Sequence, residues 1–284
     1  MKKILIQLDT DAHPSSFDKV VAVDSDVDHI FSYGGVTADN VEGLVHGAIF
    51  TRGPKSLCNT AIFVGGSNVS AGEDVFAKVQ KTFFGPMRVS VMMDSNGSNT
   101  TAAAAVLAAA NHLDLSTTTA TVLGGTGPVG LRAAQLLAAR GTAVRLVSRS
   151  AERATSACDA IAADSDAAKL TPVGASGSEI QAACEGSDLL IAAGAAGVQF
   201  LSADEWQQLS GLKVAVDVNA VPPVGLEGIE VMDKATDRNG ITTYGAIGVG
   251  GTKMKIHKAA VRKLFESNDA VMDTESIYKL AESL

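Results

Sequence analysis

Cysteine is scarce in this chain. Cys58, Cys158 and Cys184 are the only three in 284 residues, and they lie far apart without paired spacing. That excludes a disulfide framework or a cysteine-built zinc site and leaves buried or incidental thiols. Long apolar runs are missing as well. The alanine-dominated stretch 100–112 is too short and too small-sided to span a bilayer. The N-terminus, Met1-Lys2-Lys3-Ile4-Leu5-Ile6, runs straight into a strand-like segment ending at Asp9 and lacks the length and cleavage pattern of a signal peptide. A cytoplasmic protein with no membrane partner is expected.

Positive charge is not in excess either. The net charge is −8 with acids and bases interspersed, so no basic face offers itself to nucleic acid. Metal-ligand spacings are absent: Asp9, Asp11 and His13 match none, and no metal is expected. There is no nucleophile elbow, no P-loop lysine and no internal repeat. His29, His46, His112 and His257 show no partner pattern and read as structural. What is present is an ordinary globular composition, 46% hydrophobic and 19% charged, long enough for two domains that each bury a core.

Residues 1 to about 95 alternate between apolar β-rich runs and polar helical ones. Strands are predicted at 3–8, 29–33, 48–51, 60–64 and 88–93. Helices are predicted at 16–23, capped by Ser15 or Ser16, and at 71–82, capped by Ser70. The pattern is that of an α/β domain with a largely parallel sheet. After the turn and cap chemistry of Asp94-Ser95-Asn96-Gly97-Ser98-Asn99, a helix over 100–112 leads onward.

The densest signal follows. Thr119-Ala120-Thr121-Val122-Leu123 reads as a strand running through Gly124 into Gly125-Thr126-Gly127-Pro128-Val129-Gly130, and then into a helix over 131–139. In that setting the first glycine turns the chain, the second lets backbone approach a pyrophosphate, and the third lets helix and strand pack closely. Unpaired N–H groups at the helix start face the phosphates. Strand and helix alternate onward through 143–147, 152–163, 170–173, 178–184, 188–192 and 213–217. This alternation predicts a Rossmann-type, doubly wound domain.

What ends the strand after the glycine loop selects the cofactor. An NAD-binding chain usually carries Asp or Glu there for the ribose 2′-hydroxyl. Here stand Ser148, Arg149 and Ser150, with Arg153 one helical turn on. Guanidinium groups and hydroxyls bind a 2′-phosphate that a carboxylate would repel, so the cofactor is expected to be NADP.

Four further segments carry candidate residues. Ala193 and Gly194 follow a buried strand at the sheet's carboxyl edge, where they are expected to make a tight strand-to-helix turn that also lines the nicotinamide side of a cleft. Asn219, beside Asp217 and before Pro222-Pro223, reads equally as a cofactor loop or an Asx-bonded turn. Gly248, Gly250 and Gly251 predict a loop passing close to a ligand, with Lys253 at the start of a helix over 253–265. A lysine there opposes the helix dipole, so it is either a solvated charge or points into a cleft. Asp9 and Asp11 leave the first strand at its carboxyl end and fit helix capping. A final helix is predicted over 274–281.

Taken together, these residues carry a family resemblance. Asp9-Thr10-Asp11, Ala61-Ile62-Phe63-Val64-Gly65-Gly66, Phe83-Phe84-Gly85-Pro86, Asp94 through Thr101, Gly125 through Gly130, Asn219-Ala220-Val221-Pro222-Pro223 and Gly250-Gly251-Thr252-Lys253 resemble the NADP-dependent methylene-tetrahydromethanopterin/methylene-tetrahydrofolate dehydrogenases of one-carbon-metabolising bacteria. The likeness runs nearly end to end, through Lys263-Leu264-Phe265-Glu266-Ser267 and Ile277-Tyr278-Lys279-Leu280-Ala281.

The resemblance implies reversible hydride transfer from the methylene bridge of a pterin C1 carrier, tetrahydromethanopterin or tetrahydrofolate, to NADP⁺. It implies an amino-acid-dehydrogenase-like architecture: an N-terminal pterin-binding α/β domain over 1–98, an NADP domain with connecting helices over 99–267, and a C-terminal helix, about 268–284, that returns to the first domain. The pterin would lie in the cleft between them, oriented by Lys253, by Ser98, Asn99, Thr100 and Thr101, and by Asp9 and Asp11. Gly250 joins the residues expected around the cofactor. Homo-oligomers are implied, with a trimer as the expected unit and a hexamer as its alternative. Two readings compete: a reductase of another small molecule, of the shikimate-dehydrogenase type, and a non-catalytic NADP(H)-binding redox sensor.

Overall fold

The computed structural model describes residues 1–163 and 168–284. The chain divides into two compact units, one made of residues 1–100 and 254–284, the other of 101–253. The C-terminal segment of the first unit therefore begins earlier than the expected 268.

In the first unit, β1 (Ile4–Asp9), α1 (Ser16–Val23), β2 (His29–Tyr33), α2 (Glu42–Phe50), β3 (Thr60–Gly65), α3 (Val69–Thr82) and β4 (Ser90–Met93) follow one another. α4 (Ser98–Ala110) begins in this unit and continues in the second. The second unit holds β5 (Thr119–Leu123), α5 (Pro128–Ala139), β6 (Ala143–Ser148), α6 (Ala151–Ala162), β7 (Lys169–Gly174), α7 (Glu179–Cys184), β8 (Leu189–Ala192), α8 (Ala203–Gln207), β9 (Val214–Asp217), β10 (Lys234–Arg238) and β11 (Ile241–Tyr244). α9 (Ala246–Lys263) leads back to the first unit, which closes with β12 (Val271–Met272) and α10 (Thr274–Ala281).

The sheet of the first unit has the order β12-β4-β3-β1-β2 with every pairing parallel. Central strands of such a sheet are covered on both faces and read as unbroken apolar runs, as Ala61-Ile62-Phe63-Val64 does. The edge strand β2 instead alternates between exposed and half-buried residues. Leu8, Ile49, Ile62, Val64, Val75, Val79 and Val91 centre its core. Each fully buried aliphatic side chain of this kind contributes about 1.5–3 kcal/mol.

The second sheet runs β10-β11-β9-β8-β5-β6-β7, parallel except for the β10–β11 hairpin. Trp206 lies fully buried in its core beside Leu123, Leu190 and Leu226, its indole N–H donating to the Glu227 carbonyl at 2.9 Å. In the hairpin, Arg238 pairs with Asp233 at 2.6 and 2.8 Å, and the Thr243 hydroxyl donates to the same carboxylate. Burial works against ionisation of Asp233, but these donors outweigh it and hold its carboxyl below the usual carboxylate range. Among the described residues no helix is long and apolar enough to cross a membrane.

Three sequence-based assignments are corrected. Residues 48–51, predicted as a strand, form the last turn of α2 and the residue after it; Val45, Ala48 and Ile49 are buried at helical spacing, and β-branched Ile49 and Thr51 mimic a strand. Asn68, not Ser70, caps α3, accepting the Ala71 N–H at 3.1 Å. α9 starts at Ala246 rather than Lys253, so Gly248, Gly250 and Gly251 lie inside a helix. Gly248 is there because a Cβ would stand 1.8 Å from the Asp233 carbonyl oxygen. The close approach at Gly248 is thus to the protein's own backbone, whereas a Cβ at Gly250 or Gly251 would meet nothing within 4 Å.

Candidate active site

In both units the chain order reverses beside the first strand, leaving a switch point at the carboxyl ends of the strands, where open α/β sheets bind ligands. In the second unit that point lies between β5 and β8. The turn out of β5 is made by Gly124, which has φ +70°, and not by Gly125 as the motif predicts. Gly125 is needed for room: a Cβ there would stand 2.6 Å from Leu146 Cγ. A Cβ at Gly130 would fall 2.4 Å from the Gly124 carbonyl oxygen, which is the helix-on-turn packing expected of the third glycine.

α5 opens with Gly127 as an N-cap that has no side-chain hydrogen bond, followed by Pro128. The first turn therefore leaves N–H groups of Val129 and Gly130 without a side-chain cap. Together with the positive end of the helix dipole they have the chemistry that suits an anion. Ala193, at the end of β8, has its carbonyl against Gly124, and the Phe200 ring packs on Gly194, where a Cβ would meet it at 2.5 Å.

At the end of β6, Ser148 Oγ lies 3.2 Å from Thr126 Oγ1 and accepts the Ser150 N–H at 3.4 Å. Ser150 caps α6 by accepting the Arg153 N–H at 3.2 Å. Arg149 and Arg153 are both exposed, and neither guanidinium makes a hydrogen bond or ion pair among the described residues. Two cations are thus left uncommitted beside a pair of hydroxyls already held in place.

Asn219 is nearly buried and takes the Asx-turn reading. Its N–H donates to Asp217 Oδ1, its Oδ1 accepts the Val221 N–H, and its Nδ2 reaches the Ala195 carbonyl at 3.4 Å. Asp217 also accepts the Leu226 N–H at 2.7 Å, so one carboxylate pins both ends of the loop after β9. Burial pushes the Asp217 carboxyl above its usual range, against the pull of the N–H groups of Asn219, Leu226 and Gly225. Gly250 and half-buried Lys253 lie on α9, Lys253 well inside the helix. At that depth its charge does not oppose the positive end of the helix dipole.

In the first unit the switch point lies between β1 and β3. Asp9 is fully buried, and its two oxygens accept the N–H groups of Asp11 and Ser15, both at 2.9 Å. Asp11 accepts the N–H and hydroxyl of Ser67, tying the loop after β1 to the loop after β3. The start of α4 is equally self-engaged. Ser98 donates to the Ser95 carbonyl, Asn99 bridges the Met93 carbonyl and the Thr274 hydroxyl, and Thr100 gives both N–H and hydroxyl to Asp94. Thr101, half-buried, follows them in the helix.

The sequence pattern thus brought Asp9 and Asp11 to the right strand end, but their carboxylates are occupied in shaping loops. Asp94, fully buried with both oxygens bonded to Thr100, and Gly124 were not among the candidates. A glycine preceding the expected triplet, and an Asp six residues before a helical Thr, were the available signals.

A family model described as methylene-tetrahydromethanopterin dehydrogenase, N-terminal, matches residues 16–96. The bifunctional protein MdtA of Methylorubrum extorquens AM1 is 46% identical over 285 residues, covering 100% of this chain and 99% of that protein. The NAD(P)-dependent methylenetetrahydromethanopterin dehydrogenase of the same organism is 33% identical, covering 99% and 98%. Among solved structures, quinate dehydrogenase from Corynebacterium glutamicum in complex with NAD superimposes with a TM-score of 0.51 at 14% identity over 100% of this chain and 99% of that one, a likeness of fold alone. Two relatives aligned end to end, both above 30% identity, carry the assignment: the chain belongs to the methylene-tetrahydromethanopterin dehydrogenase family.

Proposed function

We propose that the protein catalyses reversible, NADP-dependent oxidation of methylene-tetrahydromethanopterin, methylene-tetrahydrofolate or both to the methenyl form by direct hydride transfer. The observation that carries the cofactor half is the uncapped start of α5 beside the two uncommitted guanidinium groups of Arg149 and Arg153. The N–H groups of Val129 and Gly130 suit a pyrophosphate. Arg149 and Arg153, with Ser148 and Ser150, suit a 2′-phosphate through charge-assisted hydrogen bonds. When bound, the nicotinamide ring supplies the hydride acceptor.

The protein's share of the work is positioning and exclusion of water. Ala193 and Gly194 keep the end of β8 low, and Asp217 and Asn219 hold the next loop rigid beside it. Lys253 orients the pterin carrier and sets the local field, while Ser98, Asn99 and Thr100 act through the shape of the α4 start that they hold together. The carrier's own ring nitrogen stabilises the cation formed, so no covalent nucleophile is called for. In this reading the first unit binds the pterin, and the working form is a cytoplasmic homo-oligomer, a trimer before a hexamer.

The test is a side-by-side assay of both carriers with both nicotinamide cofactors, followed at the NADPH absorbance band, with light scattering for the subunit count. Turnover with NADP⁺ and either carrier is expected. No turnover with any pairing refutes the activity, and equal turnover with NAD⁺ refutes the role of the arginines.

A further inference from the structure

His257 and Asp94 form a buried pair that none of the roles above uses. His257 is fully buried on α9, and its ring stacks on Phe63 with centroids 5.8 Å apart and planes at 14°. Phe17 closes the site from α1 at 6.3 Å. Nδ1 of His257 lies 3.8 Å from Oδ2 of Asp94, which is itself 1% exposed. A residue needed only to fill this space would be apolar, because an imidazole and a carboxylate both lose hydration here. Their proximity offsets that loss only while they stay together.

The pair joins separate elements. Asp94 follows β4 and accepts the N–H of Thr100 at 3.0 Å and its hydroxyl at 2.6 Å, so it holds the first turn of α4. His257 sits in α9, one turn after Lys253 and on the same helix face. We infer that His257 is a positioning residue: its attraction to Asp94 sets the register of α9 against the first turn of α4, and thereby sets where α9 carries Lys253. The functional part rests on the hydride-transfer reading above. A slip of one residue along a helix displaces a side chain by about 1.5 Å, and misplacement by about 1 Å costs a positioned reaction on the order of a hundredfold.

Other charges face the same pocket. The carboxylates of Asp9, at the end of β1, and Asp18, in α1, converge on Gly65, where a Cβ would stand 3.3 and 3.5 Å from them and 3.2 Å from the Phe63 ring. On α9 itself, Lys255 is exposed and Lys258 is paired with Asp24 at 2.8 Å. Asp94 Oδ2 lies 3.8 Å from His257 Nδ1, and neutralising Asp94 is the change that tests this pairing.

The experiment has two arms. In the first, the His257 ring proton is titrated by NMR in the intact wild-type protein and in Asp94→Asn, which keeps the size of the side chain and one acceptor. The midpoint is expected to fall by about one pH unit or more when the carboxylate is neutralised; an unchanged midpoint, or no titration in either protein, overturns the pairing. In the second, His257→Phe keeps the stacked ring and is expected to lose tenfold or more in kcat with KM for cofactor within threefold. His257→Asn, which restores a donor near Nδ1, should recover part of it. Turnover of His257→Phe within twofold of wild type, or no recovery in His257→Asn, overturns the positioning role. Wild-type protein inert towards every C1 carrier would instead sink the proposed activity, and the NMR arm would still decide the pairing.

Discussion

Substituting Gly130 by alanine separates packing from phosphate binding in the glycine loop. The added Cβ would stand 2.4 Å from the Gly124 carbonyl oxygen and 3.0 Å from both the Gly124 carbonyl carbon and the Gly125 Cα. All three are backbone atoms, so no side chain can swing away. Comfortable contact starts at about 3.5 Å, so the first turn of α5 must retreat by about 1 Å. Overpacking of this kind costs about 1–3 kcal/mol, and the better helix propensity of alanine returns about 0.5–1 kcal/mol. The mid-range values leave a net loss of about 1.3 kcal/mol, a drop of about 3–5 °C in melting temperature for a domain of this size. Gly127 is the control: its Cβ would meet only the Gly124 oxygen at 3.2 Å and the Ala193 oxygen at 3.5 Å. Gly127→Ala should therefore cost only about 0.5 kcal/mol, through alanine being the poorer N-cap residue. Both variants should bind NADPH at least tenfold more weakly in a fluorescence titration, one because N–H groups withdraw, the other because a methyl meets the phosphate. Equal melting of the two variants refutes the packing argument, and undiminished NADPH affinity in both refutes the phosphate site.

Arg149→Ala should weaken NADP⁺ by about 1.5–3 kcal/mol while leaving NAD⁺ nearly untouched, and equal losses by isothermal titration calorimetry would rule out the 2′-phosphate role. Lys253→Ala should lower turnover at least tenfold with NADP affinity unchanged; near-normal turnover removes Lys253 from the site. The Asp233 carboxyl is held below its unfolded value, so the stability it contributes is complete above the unfolded pKa and disappears as pH falls through the lower folded one. Denaturant melts of Asp233→Asn from pH 7 to 2 should accordingly be weaker near neutrality and show a shallower acid decline than wild type. Burial pushes the Cys184 thiol up to about 12. In the native protein a thiol reagent at pH 8 should therefore label half-buried Cys58 well before Cys184, and prompt labelling of Cys184 would contradict its burial.

Much of the fold was legible because parallel sheets announce themselves. The buried runs of β3, β5, β8 and β9 have few ways to be read other than as central strands, and α10 and β2 match their predicted limits. Errors arose where one local signal serves two physical purposes. Ile49 and Thr51 favour strands, yet the spacing of Val45, Ala48 and Ile49 buries one face of a helix. The glycines before Lys253 signal a close approach, but in a single chain nothing says whether a ligand or the Asp233 backbone is what comes close. The proposed dinucleotide site was legible for the opposite reason, since its glycines, helix start and arginines all fall within residues 124–153. Asp94 and His257 meet only through the fold, 163 positions apart, and neither has a neighbour in the chain that reveals the other.

Finally, β12 pairs in parallel with β4, and the Ser90 hydroxyl donates to the Ser267 carbonyl and accepts the Ala270 N–H. During synthesis β4 therefore remains an open edge until residues 271–272 have left the ribosome, while the whole of 101–253 can fold before them. An unpaired edge of four buried residues is a template for wrong partners. The unit whose residues are made first is thus the last to have all of them available. Synthesis that stalls after the second unit is complete would release a chain prone to aggregate through its first.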